Sequence, residues 1–216
     1  MKNPNAIVWL QDEVHFKVKS TIKSAWYKKG SRPTINSNPG QQKVSYSGFV
    51  NPKSGRLIMV KTETFNYATT IAAIREFMKQ THCNPGQKIY MIMDNASWHK
   101  KAKRLIREDS EYADLRNKIE FVDIPPYSPD CNPIEQVWRI TRREVTHNKY
   151  WPDLLTLTTK LDEYFKGFYK RNKKLRSLCS FNFSTEEKKS APKRDRKHFR
   201  RFVSEYLRKT VIIYGV

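Results

Sequence analysis

The 216-residue sequence is short of acid, of cysteine and of long apolar runs, and each shortage removes a class of protein. No stretch approaches the roughly 18 uninterrupted apolar residues that a bilayer crossing needs. The opening MKNPNAIVWLQDE lacks the pattern of a secretory signal. Cys83, Cys131 and Cys179 are odd in number and far apart, so they form neither a disulfide framework nor a paired metal clip, which fits a reducing cytoplasm. The five histidines (His15, His82, His99, His147 and His198) show no ligand spacing with them, which argues against zinc. No internal repeat is visible. The shortage of acid is the most informative: 42 Lys and Arg face 21 Asp and Glu, a formal charge of +21. A small protein this basic points to a polyanion, nucleic acid first; a merely solvated basic surface or a ribosomal association is the plainer alternative.

What is present suffices for a folded domain, with 38% hydrophobic and 12% aromatic residues. Asn5–Lys19 alternates apolar and polar residues and reads as a strand. Gly30, Pro33, Pro39 and Gly40 then mark a loop or loose hairpin. Val44–Val50 and Leu57–Lys61 read as two more strands, joined by the turn NPKSG into an antiparallel meander. In Tyr67–Gln80 the apolar residues recur at three and four positions, which predicts an amphipathic helix. Ile89–Met93 is a short continuous apolar run, the mark of a strand buried on both faces. A basic helix near Lys100–Glu108, a strand Ile119–Val122 and helices Pro133–Val145 and Pro152–Tyr169 complete the order β-β-β-α-β-α-β-α-α. This order predicts an α/β domain with a mixed sheet, part antiparallel and part parallel. A boundary is expected near Ser184, giving a domain at 1–183 and a basic, flexible tail at 184–216 with ten Lys and Arg against four Asp and Glu.

In so basic a chain the acids at strand ends stand out. Asp12 lies in the first strand, and alternation sends its neighbour Glu13 to the opposite face, so at most one of the two joins any given site. Asp94 directly follows the buried run Ile89–Met93, beyond the strand's carboxyl end, where α/β sheets place their pockets. A strand-end Asp also commonly just caps a turn. Glu135 would be the third residue of a helix capped by Asn132, the capping-box position. Cap and ligand are compatible roles for it, since a carboxylate at a helix N-terminus is aimed outward.

These residues carry a resemblance. DNASWH followed by PPYSPDCNPIEQVW, with the Asp12-Glu13 pair in an early strand and the G-x-R-P loop at Gly30–Pro33, is similar to the catalytic core of mariner-like (Tc/mariner superfamily) DDE transposases, in the bacterial and archaeal insertion-sequence branch. The likeness covers about Asn5 to Tyr169. It implies an RNase H-like fold with a five-stranded mixed sheet flanked by helices. It also implies catalytic and metal-binding carboxylates at Asp12, Asp94 and Glu135, with Asp12 bridging two ions. Two Mg²⁺ ions, replaceable by Mn²⁺, would suit such oxygen ligands and would serve hydrolysis at a transposon end, then attack of the freed 3′-hydroxyl on target DNA. No Tyr or Ser nucleophile is needed. The family further implies insertion at a TA dinucleotide, a homodimer in the synaptic complex and a prokaryotic, cytoplasmic, nucleoid-associated setting.

There are two departures from the family pattern. Asp94 and Glu135 are 41 positions apart, longer than usual, with the extra length expected in REDSEYADLRNK. Only eleven residues precede Asp12, where the family carries helix-turn-helix modules, so the chain reads as a catalytic half whose DNA-binding half is separately encoded, truncated or cut away. A noncatalytic DNA-binding remnant, or a general RNase H-like nuclease, is the alternative; retention of all three acids argues against the remnant.

Asn95 and His99 are accessory candidates: His99 either orients phosphate or water, or simply hydrogen-bonds its loop, and Asn95 reads as a turn former. The expected DNA-binding surface is Lys100, Lys101, Lys103 and Arg104 after Asp94, with Arg139, Arg142 and Arg143 on the helix of Glu135. The run Lys170–Arg176 and the tail would add salt-dependent, nonspecific affinity. Trp98, Trp138 and Trp151 read as packing residues rather than base-stacking platforms.

Overall fold

A computed structural model describes residues 6–31, 33–124 and 132–179. The meander is β1 (Ala6–Lys17), β2 (Lys43–Asn51) and β3 (Arg56–Thr62). After it come α1 (Tyr67–Gln80), β4 (Lys88–Met93), α2 (Ser97–Glu108), α3 (Ala113–Arg116) and β5 (Ile119–Asp123). The chain then forms α4 (Ile134–Thr141), α5 (Leu154–Lys166) and α6 (Lys173–Cys179). The five strands form one sheet in the order β3-β2-β1-β4-β5. β1 is antiparallel to β2 and parallel to β4, so the antiparallel and parallel halves meet at β1. The mixed sheet expected from the element order is the one observed.

Alternation along β1 explains the layering. Trp9 joins Phe49, Ile74, Phe77, Met91 and Ile106 in a core beneath α1 and α2. Leu10, Val14 and Phe16 join Tyr46, Val137, Trp138, Leu161 and Phe165 on the opposite face. Burial at about 25 cal/mol per Å² of apolar surface drives both layers, so a strand apolar on both faces settles at the centre.

Local chemistry fixes several boundaries. Asn66 caps α1: its Oδ1 accepts from Thr69 N at 3.0 Å while its own N–H donates to Thr69 Oγ1 at 3.0 Å. In the β2–β3 turn, Asn51 Oδ1 accepts from the N–H groups of Lys53 and Ser54, and Gly55 adopts φ +70°. A Cβ there would also meet the Asn172 carbonyl oxygen at 2.0 Å, so two demands select glycine. α5 starts at Leu154 rather than Pro152, because Asp153 accepts from Thr156 N at 2.7 Å and is the cap.

The helix expected over Pro133–Val145 is two pieces, α4 and a π-helical turn at Arg142–Thr146. The hydroxyls of Thr141 and Thr146 turn back onto the carbonyls of Val137 and Arg142 at this junction. The cap is Pro133, not Asn132. Asn132 instead donates to the Gln11 carbonyl at 3.4 Å and ties the start of α4 to β1. The extra length between Asp94 and Glu135 holds a 3₁₀ turn (Ser110–Tyr112) and α3, and part of the basic run Lys170–Arg176 lies in α6, whose Leu175 and Cys179 are buried. PPYSPDC (125–131) and the boundary expected near Ser184 lie outside the described residues. Among the described residues no helix is long and apolar enough to cross a membrane.

Candidate active site

β1 outruns β4. The two pair in parallel from Ala6↔Lys88 to Leu10↔Ile92, after which β1 continues beside β2 alone. Asp12 and Asp94 each lie two residues beyond the last pair, so both stand where the parallel pairing ends, the position at which α/β sheets open a crevice.

Asp12 faces the α4 layer. Trp138, itself 1% exposed, donates its indole N–H to Asp12 Oδ2 at 2.9 Å. Burial pushes the Asp12 acid up to about 7; the Trp138 bond draws it down, and the negative charges of Glu135 and Glu13 raise it further. No Lys or Arg within the described residues forms an ion pair with it.

Asp94 is held from the α2 side. Its Oδ1 accepts from Ala96 N at 3.0 Å and lies 2.5 Å from His99 Nδ1. The other ring nitrogen, Nε2, lies 2.7 Å from Glu13 Oε1. With a carboxylate at each nitrogen and no exposure, the imidazole is the doubly protonated donor. Burial opposes its charge, but Asp94 and Glu13 together outweigh burial and push His99 up to about 9. The same bond, with the Ala96 amide behind it, holds the Asp94 acid below its ordinary value against partial burial. Gln11 Nε2 donates to Glu13 Oε1 at 3.0 Å and to Ser47 Oγ at 2.9 Å, which fixes Glu13 in turn. Lys103 donates to the Asp94 backbone carbonyl at 3.0 Å and pairs with Asp123.

Glu135 is exposed on the first turn of α4, close enough for its charge to act on Asp12. With proline at the cap there is no N–H for its carboxylate to reach, so the capping-box role does not arise. Asn95 donates to the Ile124 carbonyl at 2.6 Å, which ties the end of β4 to the end of β5 rather than forming a local turn.

The basic candidates divide. Lys100, Lys101, Arg104, Arg139 and Arg143 are exposed, with the Lys101 ammonium 3.7 Å from the centre of the Tyr67 ring. Arg142 is half-buried with its guanidinium 5.9 Å from the Phe16 ring centre. Lys103 is a correction: only 3% exposed and consumed by Asp94 and Asp123, it has no surface with which to meet a phosphate. Sequence reasoning also missed Glu13. The rule that Asp12 and Glu13 face opposite ways holds, yet Glu13 reaches the same site by way of His99. The signal available was the pairing of a DE strand with DN-x-x-x-H.

Among the described residues no three His, Cys, Asp or Glu side chains are gathered into a ready-made metal cage. The donor chemistry nevertheless suits a hard divalent cation: the candidates are carboxylate oxygens, and the half-buried Asp12 has its ionised form disfavoured by desolvation and by neighbouring negative charge.

Comparison with known proteins places this arrangement. The model of the DDE superfamily endonuclease family matches residues 7–158, which include Asp12, Asp94 and Glu135. The chain belongs to that family. A curated relative, the insertion element IS630 uncharacterized 39 kDa protein of Shigella sonnei, is 24% identical over 160 residues, covering 74% of this chain and 44% of the relative. The solved mariner Mos1 paired end complex with Mn aligns at a TM-score of 0.58 and 14% identity, over 80% of this chain and 51% of that one. The corresponding Mos1 complex with Mg gives 0.55 and 18%, over 92% and 55%. At these identities the likeness is one of fold, and the fold is RNase H-like, as in other DDE catalytic cores. The chain spans about half the length of the relatives it matches.

Proposed function

We propose that this DDE endonuclease chain is the catalytic half of a mariner-like, insertion-sequence transposase that cleaves transposon ends and joins them to target DNA. The observation that carries the proposal is the Asp12 corner. There a half-buried acid is set among other acids, where the parallel β1–β4 pairing ends beside Asp94, in a chain of +21. Such a corner is disfavoured in isolation and favoured once a cation and a polyanion arrive together.

Asp12, Asp94 and Glu135 would hold two Mg²⁺ ions, or Mn²⁺ in their place. When bound, the metal supplies charge neutralisation at the phosphate and an acidified attacking hydroxyl. The chain's own residues prepare this. His99 and Ala96 both bind Oδ1 of Asp94, leaving Oδ2 without a protein partner among the described residues. Trp138 likewise occupies one oxygen of Asp12. In cleavage a water oxygen bonds to phosphorus and the P–O3′ bond breaks, leaving a 3′-hydroxyl and a 5′-phosphate. In joining, that 3′ oxygen bonds to a target phosphorus, and the target's own 3′ oxygen leaves.

The exposed cations Lys100, Lys101, Arg104, Arg139 and Arg143, with the partly buried Arg142, would take the DNA backbone, and the basic residues 184–216 would extend that contact beyond a catalytic domain ending near 183. The partners are transposon-end and target DNA, a second copy in the synaptic complex, and a helix-turn-helix DNA-binding region on this or a separate chain, in a prokaryotic cytoplasm at the nucleoid. The test is nicking and strand transfer on transposon-end DNA with Mg²⁺ or Mn²⁺, comparing wild type with Asp94→Ala. Activity in the wild type and its loss in a folded Asp94→Ala protein are expected. Full activity in that variant would sink the assignment.

A further inference from the structure

Gly48 is the residue of β2 that pairs directly with Asp12. It lies on the face covered by α4, between Asp12 on one side and Met59 on the other. A Cβ built on Gly48 would lie 2.2 Å from Cη2 and 2.9 Å from Cζ2 of Trp138, and 3.2 Å from Met59 Sδ. The indole therefore occupies the space that any other residue at position 48 would fill with its side chain. Gly48 has no need of a left-handed backbone, so the demand for glycine here is purely one of space.

The consequence reaches Asp12. Only with its six-membered ring laid over Gly48 does Trp138 present Nε1 to Asp12 Oδ2 at 2.9 Å. The ring is 1% exposed and surrounded by the α4-side core, so it has no second resting place. Trp138 also stands three positions after Glu135, on the same side of α4. Locking its ring onto β1 and β2 thus sets the rotation of α4 that brings Glu135 within electrostatic reach of Asp12.

We infer that Gly48 and Trp138 form one positioning device, a vacancy in β2 and the ring that fills it, which fixes the Asp12 carboxylate and the approach of Glu135 for metal binding. Neither is a catalytic residue. The inference rests on the metal-site reading above, and Mn²⁺ titration of the whole chain by calorimetry, without DNA, keeps the two apart. Wild type, Trp138→Phe, Gly48→Ala and the double variant are compared, each checked for fold by circular dichroism. Trp9→Phe serves as a control, since Trp9 is an equally buried indole on the other face whose N–H has no partner among the described residues.

Loss of such an outer support typically weakens metal affinity about 10–100-fold, so Trp138→Phe is expected to bind Mn²⁺ that much more weakly while remaining folded. Gly48→Ala should produce a loss of the same order although it touches no carboxylate. Because phenylalanine lacks the atoms that collide with the new methyl, adding Gly48→Ala to Trp138→Phe should cost little more. Trp9→Phe should bind as wild type does. Wild-type affinity in folded Trp138→Phe and Gly48→Ala proteins, or losses that multiply in the double variant, would overturn the inference and leave the metal site standing. If Trp138→Phe does not fold, Gly48→Ala decides alone: wild-type affinity overturns the inference and the expected loss supports it. No Mn²⁺ binding by wild type would instead remove the metal-site reading, and this inference with it.

Discussion

Asp12 and Asp94 stand just past the end of the parallel β1–β4 pairing, yet their surroundings act on them in opposite directions. The Asp12 corner is built of shape: an indole, a missing side chain, an apolar layer and two other acids, with burial pushing the acid up to about 7. The Asp94 corner is built of charge: His99 on the carboxylate, Lys103 on its backbone carbonyl and Glu13 behind His99, so the acid sits low. The division follows from the sheet. α4 reaches Asp12 with an apolar face, while α2 places His99 and Lys103 four positions apart, on one side of the helix under the strand ends. Under the proposed function, the two carboxylates of one metal site are therefore kept apart chemically until a cation joins them.

The strongest test of that contrast removes each acid in turn. Under the proposed function, Asp94→Ala and Asp12→Asn should each lower Mg²⁺-dependent cleavage of end DNA by at least about a thousand-fold, since several kcal/mol of transition-state stabilisation goes with the metal site. Their effects on metal-free stability should differ in sign. At pH 8 urea denaturation should find Asp12→Asn more stable than wild type, because a disfavoured charge is gone, and Asp94→Asn less stable. Equal shifts would dissolve the comparison.

Next in size is His99→Ala. It strands Glu13, whose side chain is only 8% exposed, and breaking a buried pair by removing one partner costs about 3–5 kcal/mol. Denaturation midpoints at pH 7 would check this, and a loss below about 1 kcal/mol would mean that water already reaches Glu13.

A further effect is expected from pH. His99 binds its proton more tightly folded, at about 9, than at the ordinary 6.5, so its contribution is complete below pH 6.5 and disappears as the pH rises through 9. Asp12, raised from 3.8 to about 7, likewise contributes fully below pH 3.8 and loses that contribution as the pH rises through 7. The metal-free protein should therefore lose stability from these two groups between about pH 4 and 9. The upper part of the decline should be absent in His99→Gln, as melting temperatures across a pH series would reveal.

The smallest effect separates the surface cations from Lys103. Arg104→Ala or Lys100→Ala should reduce the salt slope of DNA binding by about one without changing stability. Lys103→Met should leave the slope alone and cost about 1–3 kcal/mol of folding free energy, as expected when a buried carbonyl loses its donor. A reduced slope in folded Lys103→Met would restore it to the DNA surface.

Where period and chemistry agree, the sequence is legible. The five strands and α1 lie where alternation and the three-four spacing put them, because burial on a sheet face or helix stripe is written in nearest neighbours. That Asp94 directly follows a buried strand and that Glu135 stands in the first turn of a helix was legible in the same way. What escaped depends on residues far apart in sequence. Lys103 reads as one more cation in a basic run until β5 brings Asp123 beside it, 20 positions away. Asn132 reads as a cap until β1 offers the Gln11 carbonyl, 121 positions earlier. Glu13 and His99 are 86 apart, and Gly48 is an unremarked strand glycine until Trp138 lies over it. Tertiary partners, not local preference, gave these residues their roles.

The position of β1 also bears on synthesis. Its partner β2 follows within one loop, but its other partner, β4, begins only at Lys88. Until that stretch leaves the ribosome, the first strand offers one bare row of N–H and C=O groups and a face rich in Trp, Leu, Val and Phe. Such an edge invites pairing with the wrong chain. A nascent chain halted near Gln80 is therefore the sticky form of this protein, and chaperone demand should fall sharply once β4 has been made.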